Sequence, residues 1–321
     1  MKTIIFVLTL ICLTFAAPEF PVLVSRRKTN LNPSPRTVGG NIAEPHSIPY
    51  QALLEFYTET YGWYCGGSVI SQHYVLTSAT CANNTLEVLV TLGAHNAFIT
   101  ETTQINVYST DIIVHEHFGE IYGWLNDIAV VKLPRTIDYT DAIQPVTLPK
   151  RADIDTVYLG VVGRIAGWGS DDGFDDRIFD LLRYIDTTVI SSLDEDCREY
   201  IPPGSMFCTS GEFNDMYVGP CNGDNGSGFV SDGVLIGIVS FNIYCLEGYP
   251  GFHTRVVNFL DWIVTLITNV RKILAHLIMD GVQIGIVSFG INYCLPGYAS
   301  AFTRVTSFLD WIADNTDVNF L

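Results

Sequence analysis

Beyond Arg36 the chain runs in short stretches of alternating apolar and polar residues, among them Gln51-Ala52-Leu53-Leu54-Glu55-Phe56, Ser68-Val69-Ile70 and Gln104-Ile105-Asn106-Val107-Tyr108. Gly, Pro, Asn and Asp separate the stretches. A period of two turns one side of each stretch toward a core and the other toward water, so the pattern predicts many short strands and an all-β sandwich or barrel.

Three segments depart from it. At the start, Met1-Lys2 is followed by an apolar run from Ile4 to Phe15 and the small pair Ala16-Ala17. This is the layout of a secretory signal peptide over 1–16, and the run is shorter than the ~20 apolar residues a membrane span needs. The next segment, 17–36, is rich in proline, basic residues and asparagine, has neither strand nor helix periodicity, and reads as an exposed propeptide. Near the end, Ile263, Leu266, Ile267, Val270, Ile273, Leu274, Leu277 and Ile278 recur at helical spacing, with Arg271, Lys272 and His276 on other faces. That predicts an amphipathic helix packed on its own domain, and its charges interrupt it too often for a bilayer span.

The tail also repeats. Asp232-Gly233-Val234-Leu235-Ile236-Gly237-Ile238-Val239-Ser240-Phe241 returns as Asp280-Gly281-Val282-Gln283-Ile284-Gly285-Ile286-Val287-Ser288-Phe289, Tyr244-Cys245-Leu246 as Tyr293-Cys294-Leu295, and Phe259-Leu260-Asp261-Trp262-Ile263 as Phe308-Leu309-Asp310-Trp311-Ile312. A domain over 37–263 is thus followed by a helical linker and a second copy of its ending over 264–321. Fused or alternative final exons would give the same repeat. Loop-closure entropy favours the nearer copy for completing the fold, by roughly 1–2 kcal/mol.

With 48% apolar residues in 321, the chain can bury a sizeable core. Its formal charge is −17; removing 1–36 takes away Lys2, Arg26, Arg27, Lys28, Arg36 and the acidic Glu19, which brings it to −21. Such a surface repels nucleic acid and anionic membranes, so neither is an expected partner. In an oxidising compartment the cysteines read as disulfides before metal ligands. Once Cys12 leaves with the signal, seven remain, an odd set in which one thiol is left over. No metal or cofactor motif with suitable ligand spacing is present.

The chemistry-bearing blocks follow in a fixed order: Arg36-Thr37-Val38-Gly39-Gly40, Cys65-Gly66-Gly67-Ser68, Val75-Leu76-Thr77-Ser78-Ala79-Thr80-Cys81, Asn126-Asp127-Ile128-Ala129-Val130-Val131-Lys132-Leu133, Ala166-Gly167-Trp168-Gly169, Cys221-Asn222-Gly223-Asp224-Asn225-Gly226, and Thr254-Arg255-Val256. Together they resemble the trypsin/chymotrypsin family of serine proteases, with the flavour of the arthropod digestive enzymes, over residues 37–263.

The resemblance implies two six-stranded antiparallel barrels with a cleft between them and a C-terminal helix. It implies bridges Cys65–Cys81, Cys197–Cys208, and Cys221 with a cysteine on the strand beyond; Cys245 and Cys294 compete for Cys221, and the nearer Cys245 is expected. It puts Thr80 where the family has its histidine, Asp127 at the aspartate, and Asn225 at the serine. A threonine hydroxyl is too weak a base, and an amide too poor a nucleophile, to replace them. His46, His73, His95, His115 and His117 fall in no motif position. The expected protein is a secreted, non-catalytic homologue that binds proteins or peptides, with a weak endopeptidase of chymotrypsin/elastase-like specificity as the alternative.

Further positions carry over from the family. Gly223 and Asn225 supply the oxyanion-hole amides. Gly219 forms the floor of the specificity pocket, and Asn242 and Gly248 its wall. Arg36 precedes an activation cleavage by another protease, after which Thr37 pairs with Asp224. Homologues in immune cascades often carry a leading cysteine-stapled module, which 17–36 lacks, so gut or gland secretion is the expectation. Two Asn-X-Ser/Thr sequences remain, Asn83-Asn84-Thr85 and Asn225-Gly226-Ser227; the first lies on an expected surface loop and the second in an enclosed one.

Overall fold

The computed structural model describes residues 40–120, 123–170, 177–201, 204–243, 245 and 248–268, together with the backbone of 277–279, 282–290 and 300–304. The strands, in chain order, are β1 (Asn41–Ile42), β2 (Gln51–Tyr57), β3 (Gly62–Ser71), β4 (Tyr74–Thr77), β5 (Glu87–Leu92), β6 (Ile105–Ser109), β7 (Ile112–Val114), β8 (Ala129–Lys132), β9 (Val162–Gly167), β10 (Arg183–Ile190), β11 (Met206–Phe213), β12 (Met216–Tyr217), β13 (Gly228–Ser231), β14 (Val234–Phe241), β15 (Gly248–Arg255), β16 (Leu277–Met279), β17 (Val282–Gly290) and β18 (Ser300–Arg304). Among the described residues three short α-helices join them: α1 (Ala79–Ala82), α2 (Glu195–Arg198) and α3 (Leu260–Thr268).

A seven-stranded antiparallel sheet runs β6-β5-β2-β3-β4-β8-β7, and an eight-stranded one runs β1-β10-β9-β13-β14-β15-β11-β12. In the second, β10 also pairs with β11, so its six longer strands close on themselves. The expected six strands per barrel are exceeded only by β7 and the two-residue edge strands β1 and β12. Period-two alternation explains the cores. Along β10, Ile185, Thr187 and Val189 are buried while the residues between them are not. Leu54, Phe56, Val75, Val90 and Val131 fill the first sheet's interior. Helix α3 buries Ile263 in a cluster drawn from both sheets, with Tyr74, Leu76 and Val130 from one and Leu235 and Ile238 from the other. The Tyr74 hydroxyl donates to the Leu266 carbonyl at 3.1 Å, fixing the helix across the junction.

The first copy of the repeat supplies β14 and β15 to the eight-stranded sheet. The second forms a separate three-stranded sheet, β16-β17-β18, whose register reproduces β13-β14-β15 step for step. Met279↔Val282 repeats Ser231↔Val234, and both hairpins then shift by one residue before Leu277↔Gly285 and Phe229↔Gly237. Val287↔Phe302 repeats Val239↔His253, again followed by a shift. The structural repeat therefore starts earlier than the letters do, since Leu277-Ile278-Met279 takes the place of Phe229-Val230-Ser231.

This corrects one expectation. Leu277 and Ile278, assigned by spacing to an amphipathic helix, lie in strand β16. A short apolar run fits either period, and here a strand partner a few residues onward decides it. Residues 269–276 of that expected helix, and the segments 1–16 and 17–36, lie outside the described residues.

Candidate active site

Strand β4 ends at Thr77, and Ser78 caps the single turn α1 by accepting from the Cys81 N–H at 3.4 Å. The cap turns the chain so that Thr80 meets Asp127, which sits just before β8. Asp127 is fully buried and accepts from the Thr80 N–H at 2.6 Å, the Thr80 hydroxyl at 2.9 Å and the Ser240 hydroxyl at 2.5 Å, with the Ala79 N–H also directed at it. Burial pushes its carboxyl up to about 6, although the hydrogen bonds from Ser240 and Thr80 pull it back down.

Asn225 reaches the same cluster from the other side. Its side-chain amide donates to the Ser240 carbonyl at 2.9 Å, and its own carbonyl accepts from the Gly66 N–H at 2.8 Å. Ser240 is therefore the hub, with its hydroxyl on Asp127 and its carbonyl on Asn225. Among the described residues no hydrogen bond links Thr80 to Asn225, and no histidine is bonded to this cluster. Ser240 had no role in the sequence reading; its recurrence as Ser288 inside the repeated Val-Ser-Phe was the available signal. Also unforeseen was the support beneath the loop, where the Gln51 amide donates to the buried Ser227 hydroxyl at 3.0 Å. Gly226, at φ +85°, lies so close to Thr77 and the Gly66 carbonyl that a side chain there has no room.

Gly223 takes φ +95°, and neither its amide nor that of Asn225 donates a hydrogen bond among the described residues. Next to it, Asp224 is half-buried and accepts from Gly169 N–H at 2.9 Å and Cys221 N–H at 3.0 Å. Burial pushes this carboxyl up to about 6 as well, against the pull of those amides. It borders a cavity of about 40 Å³ lined by Gly40, Gly167, Gly169, Arg183 and Gly219. Arg36 and Thr37 lie outside the described residues.

Gly219 and Asn242 line a second cavity of only about 10 Å³, with Pro220, Ile243, Tyr249 and Pro250. That is room for about one water molecule. The Asn242 carboxamide accepts from the Cys245 N–H at 2.9 Å, which ties it into its own loop. Gly248 pairs with Gly211 and lies against the Tyr217 ring. Disulfides join Cys65 to Cys81, Cys197 to Cys208, and Cys221 to Cys245. Cys294 lies outside the described residues.

Such a cluster holds a carboxylate, hydroxyls and amides. A carboxylate with these donors has its charge answered without an imidazole, and the remaining groups can form hydrogen bonds. Among the described residues no group of His, Cys, Asp and Glu is arranged to hold a metal ion.

Comparison with known proteins extends the likeness over the whole domain. The family model described as trypsin matches residues 37–263. Brachyurin of Leptuca pugilator is 40% identical over 233 residues, covering 71% of this chain and 97% of that protein. Chymotrypsin of Phaedon cochleariae is 33% identical, covering 73% and 83% respectively. Among solved structures, HL collagenase superposes with a TM-score of 0.62 at 32% identity, over 73% of this chain and 99% of its own.

Proposed function

The chain belongs to the trypsin family, and on that premise we propose that it is a secreted, non-catalytic member that works by binding proteins or peptides. One observation carries the reading: the buried acid Asp127 receives the hydroxyl and N–H of Thr80 where a base would have to stand, and Asn225 commits its amide to the Ser240 carbonyl. Catalysis in this family requires a group that takes a proton from a nucleophilic hydroxyl, and neither role has an occupant here. In active Ser-His-Asp proteases stripped of the triad, the oxyanion hole and binding alone leave roughly 10³–10⁴ over water.

The secreted location is supported by the Met1-to-Ala17 pattern. Among the described residues no helix is long and apolar enough to cross a membrane. Cleavage after Arg36 by another protease would free the Thr37 amine, and the cavity beside Asp224 is where that ammonium would find a half-buried carboxylate. The unbonded amides of Gly223 and Asn225 favour a second reading, a weak endopeptidase that retains its oxyanion hole. Comparing the Arg36-cleaved wild type with the double variant Thr80→His, Asn225→Ser on chromogenic peptides separates the two. Turnover confined to the double variant supports loss of catalysis at these two positions, whereas turnover by the wild type that scales with its concentration and is stopped by a serine-directed reagent refutes it and favours the weak endopeptidase.

A further inference from the structure

We infer that the chain carries an N-linked oligosaccharide on Asn83, at the rim of the former cleft; the inference rests on the reading that the chain is secreted. An N-glycan is bulky and hydrated, so a chain can keep one and still fold only where the asparagine faces water. Of the two Asn-X-Ser/Thr sequences, only the first meets that condition. Asn225 gives its side-chain amide to Ser240, and Ser227, the third residue of its sequence, is fully buried. Asn83 and Asn84 are both exposed, and among the described residues the Asn83 side chain makes no hydrogen bond.

The backbone presents Asn83 in a fixed direction. Its N–H donates to the Ala79 carbonyl at 2.8 Å, which closes α1, and Asn84 then turns through φ 60°. Thr85 is held behind it by a bond from its hydroxyl to the Ala82 carbonyl at 2.7 Å. Thr80 and Asn83 are three residues apart across this turn, a spacing that puts both on the same side. A glycan on Asn83 therefore stands next to the surface that carries Thr80.

The neighbourhood also has apolar surface for a sugar to cover. The Trp63 indole N–H donates to the Cys81 carbonyl at 3.1 Å, which brings the ring to the end of α1. Tyr61, 66% exposed, lies 5.6 Å from it centroid to centroid, and Leu86 beyond the turn is 57% exposed. The apolar face of the first N-acetylglucosamine suits such a surface, and covering it removes a patch that would otherwise invite association.

The test is to express the full chain in insect cells and compare intact mass before and after peptide N-glycosidase treatment. Peptide mapping and amino-terminal sequencing are done on the same sample. The expected result is a glycosidase-sensitive mass that maps to Asn83, is lost in both Asn83→Gln and Thr85→Ala, and whose enzymatic removal red-shifts tryptophan emission as Trp63 meets water. A glycosidase-insensitive mass on a chain that has lost 1–16, or a glycan mapping to Asn225, overturns the inference and leaves secretion standing. An unmodified chain that still begins at Met1 overturns both.

Discussion

Thr80 and Asp127 are joined twice, backbone N–H to one carboxylate oxygen at 2.6 Å and hydroxyl to the other at 2.9 Å. Ser240 adds a third donor, so the buried charge is answered entirely by neutral groups. Each bond made to it from a neutral group offsets part of its desolvation.

Replacing that hydroxyl should therefore destabilise the fold. Thr80→Val keeps the shape and removes one donor to a buried carboxylate, at an expected cost of about 1–3 kcal/mol at pH 7. Because Asp127 titrates near 6, above the ordinary carboxylate range, the folded chain holds the extra proton between roughly pH 4 and 6. The cost of the substitution should accordingly shrink at pH 5, where the carboxyl is largely neutral. Urea denaturation of both proteins at the two pH values checks this; an equal loss at both would contradict it.

His253 works in the opposite direction. It is fully buried against Phe207 and Phe229, its Nε2 lies 2.9 Å from the Thr209 hydroxyl, and its Nδ1 has no hydrogen-bond partner among the described residues. Burial lowers its titration to about 3. An unfolded chain would take up this proton near the ordinary value of 6.5, so stability present above that pH is lost as the pH falls toward 3, at about 1.4 kcal/mol per unit of separation. His253→Phe should flatten the decline in melting temperature between pH 6.5 and 4. An unchanged decline would assign it to other groups.

The Cys221–Cys245 bridge makes the choice between the two copies measurable. Non-reducing peptide maps should recover Cys221 linked to Cys245. Cys245→Ser should cost about 2–4 kcal/mol, and Cys294→Ser should leave stability unchanged. Recovery of a Cys221–Cys294 link in the wild type would mean that the second copy completes the barrel.

Much of this was legible in the letters, and the rest was not for identifiable reasons. Alternation along Ile105-Asn106-Val107-Tyr108 is matched by alternating exposure along β6, so the all-β class could be read from such stretches. The meeting of Thr80, Asp127 and Asn225 was reachable only through the resemblance, because the hydrogen-bonded pairs among them and Ser240 span up to 113 positions and no local pattern encodes that. Ser240 stayed hidden because its recurrence as Ser288 marks the position without naming a role, and its partner Asp127 lies 113 positions away. Leu277 and Ile278 were misassigned because a short apolar run fits either period, and only their pairing with Gly285 and Gln283 of β17 decides it.

Activation should leave a thermodynamic trace. A trypsin-like protease acting after Arg36 should give a chain beginning at Thr37, and the new ammonium beside Asp224 should raise the melting temperature and draw that carboxyl below about 6. Arg36→Gln should block both effects. Cleavage that leaves stability and its pH dependence unchanged would mean that the amine does not reach the cavity.

Whether this chain has catalytic power is tested most directly by titrating Arg36-cleaved protein with a fluorophosphonate that labels activated serines, with the Thr80→His, Asn225→Ser variant as the positive control. The predicted result is no stoichiometric labelling of the wild type. Incorporation approaching one label per chain would contradict a non-catalytic role and make the protein an enzyme.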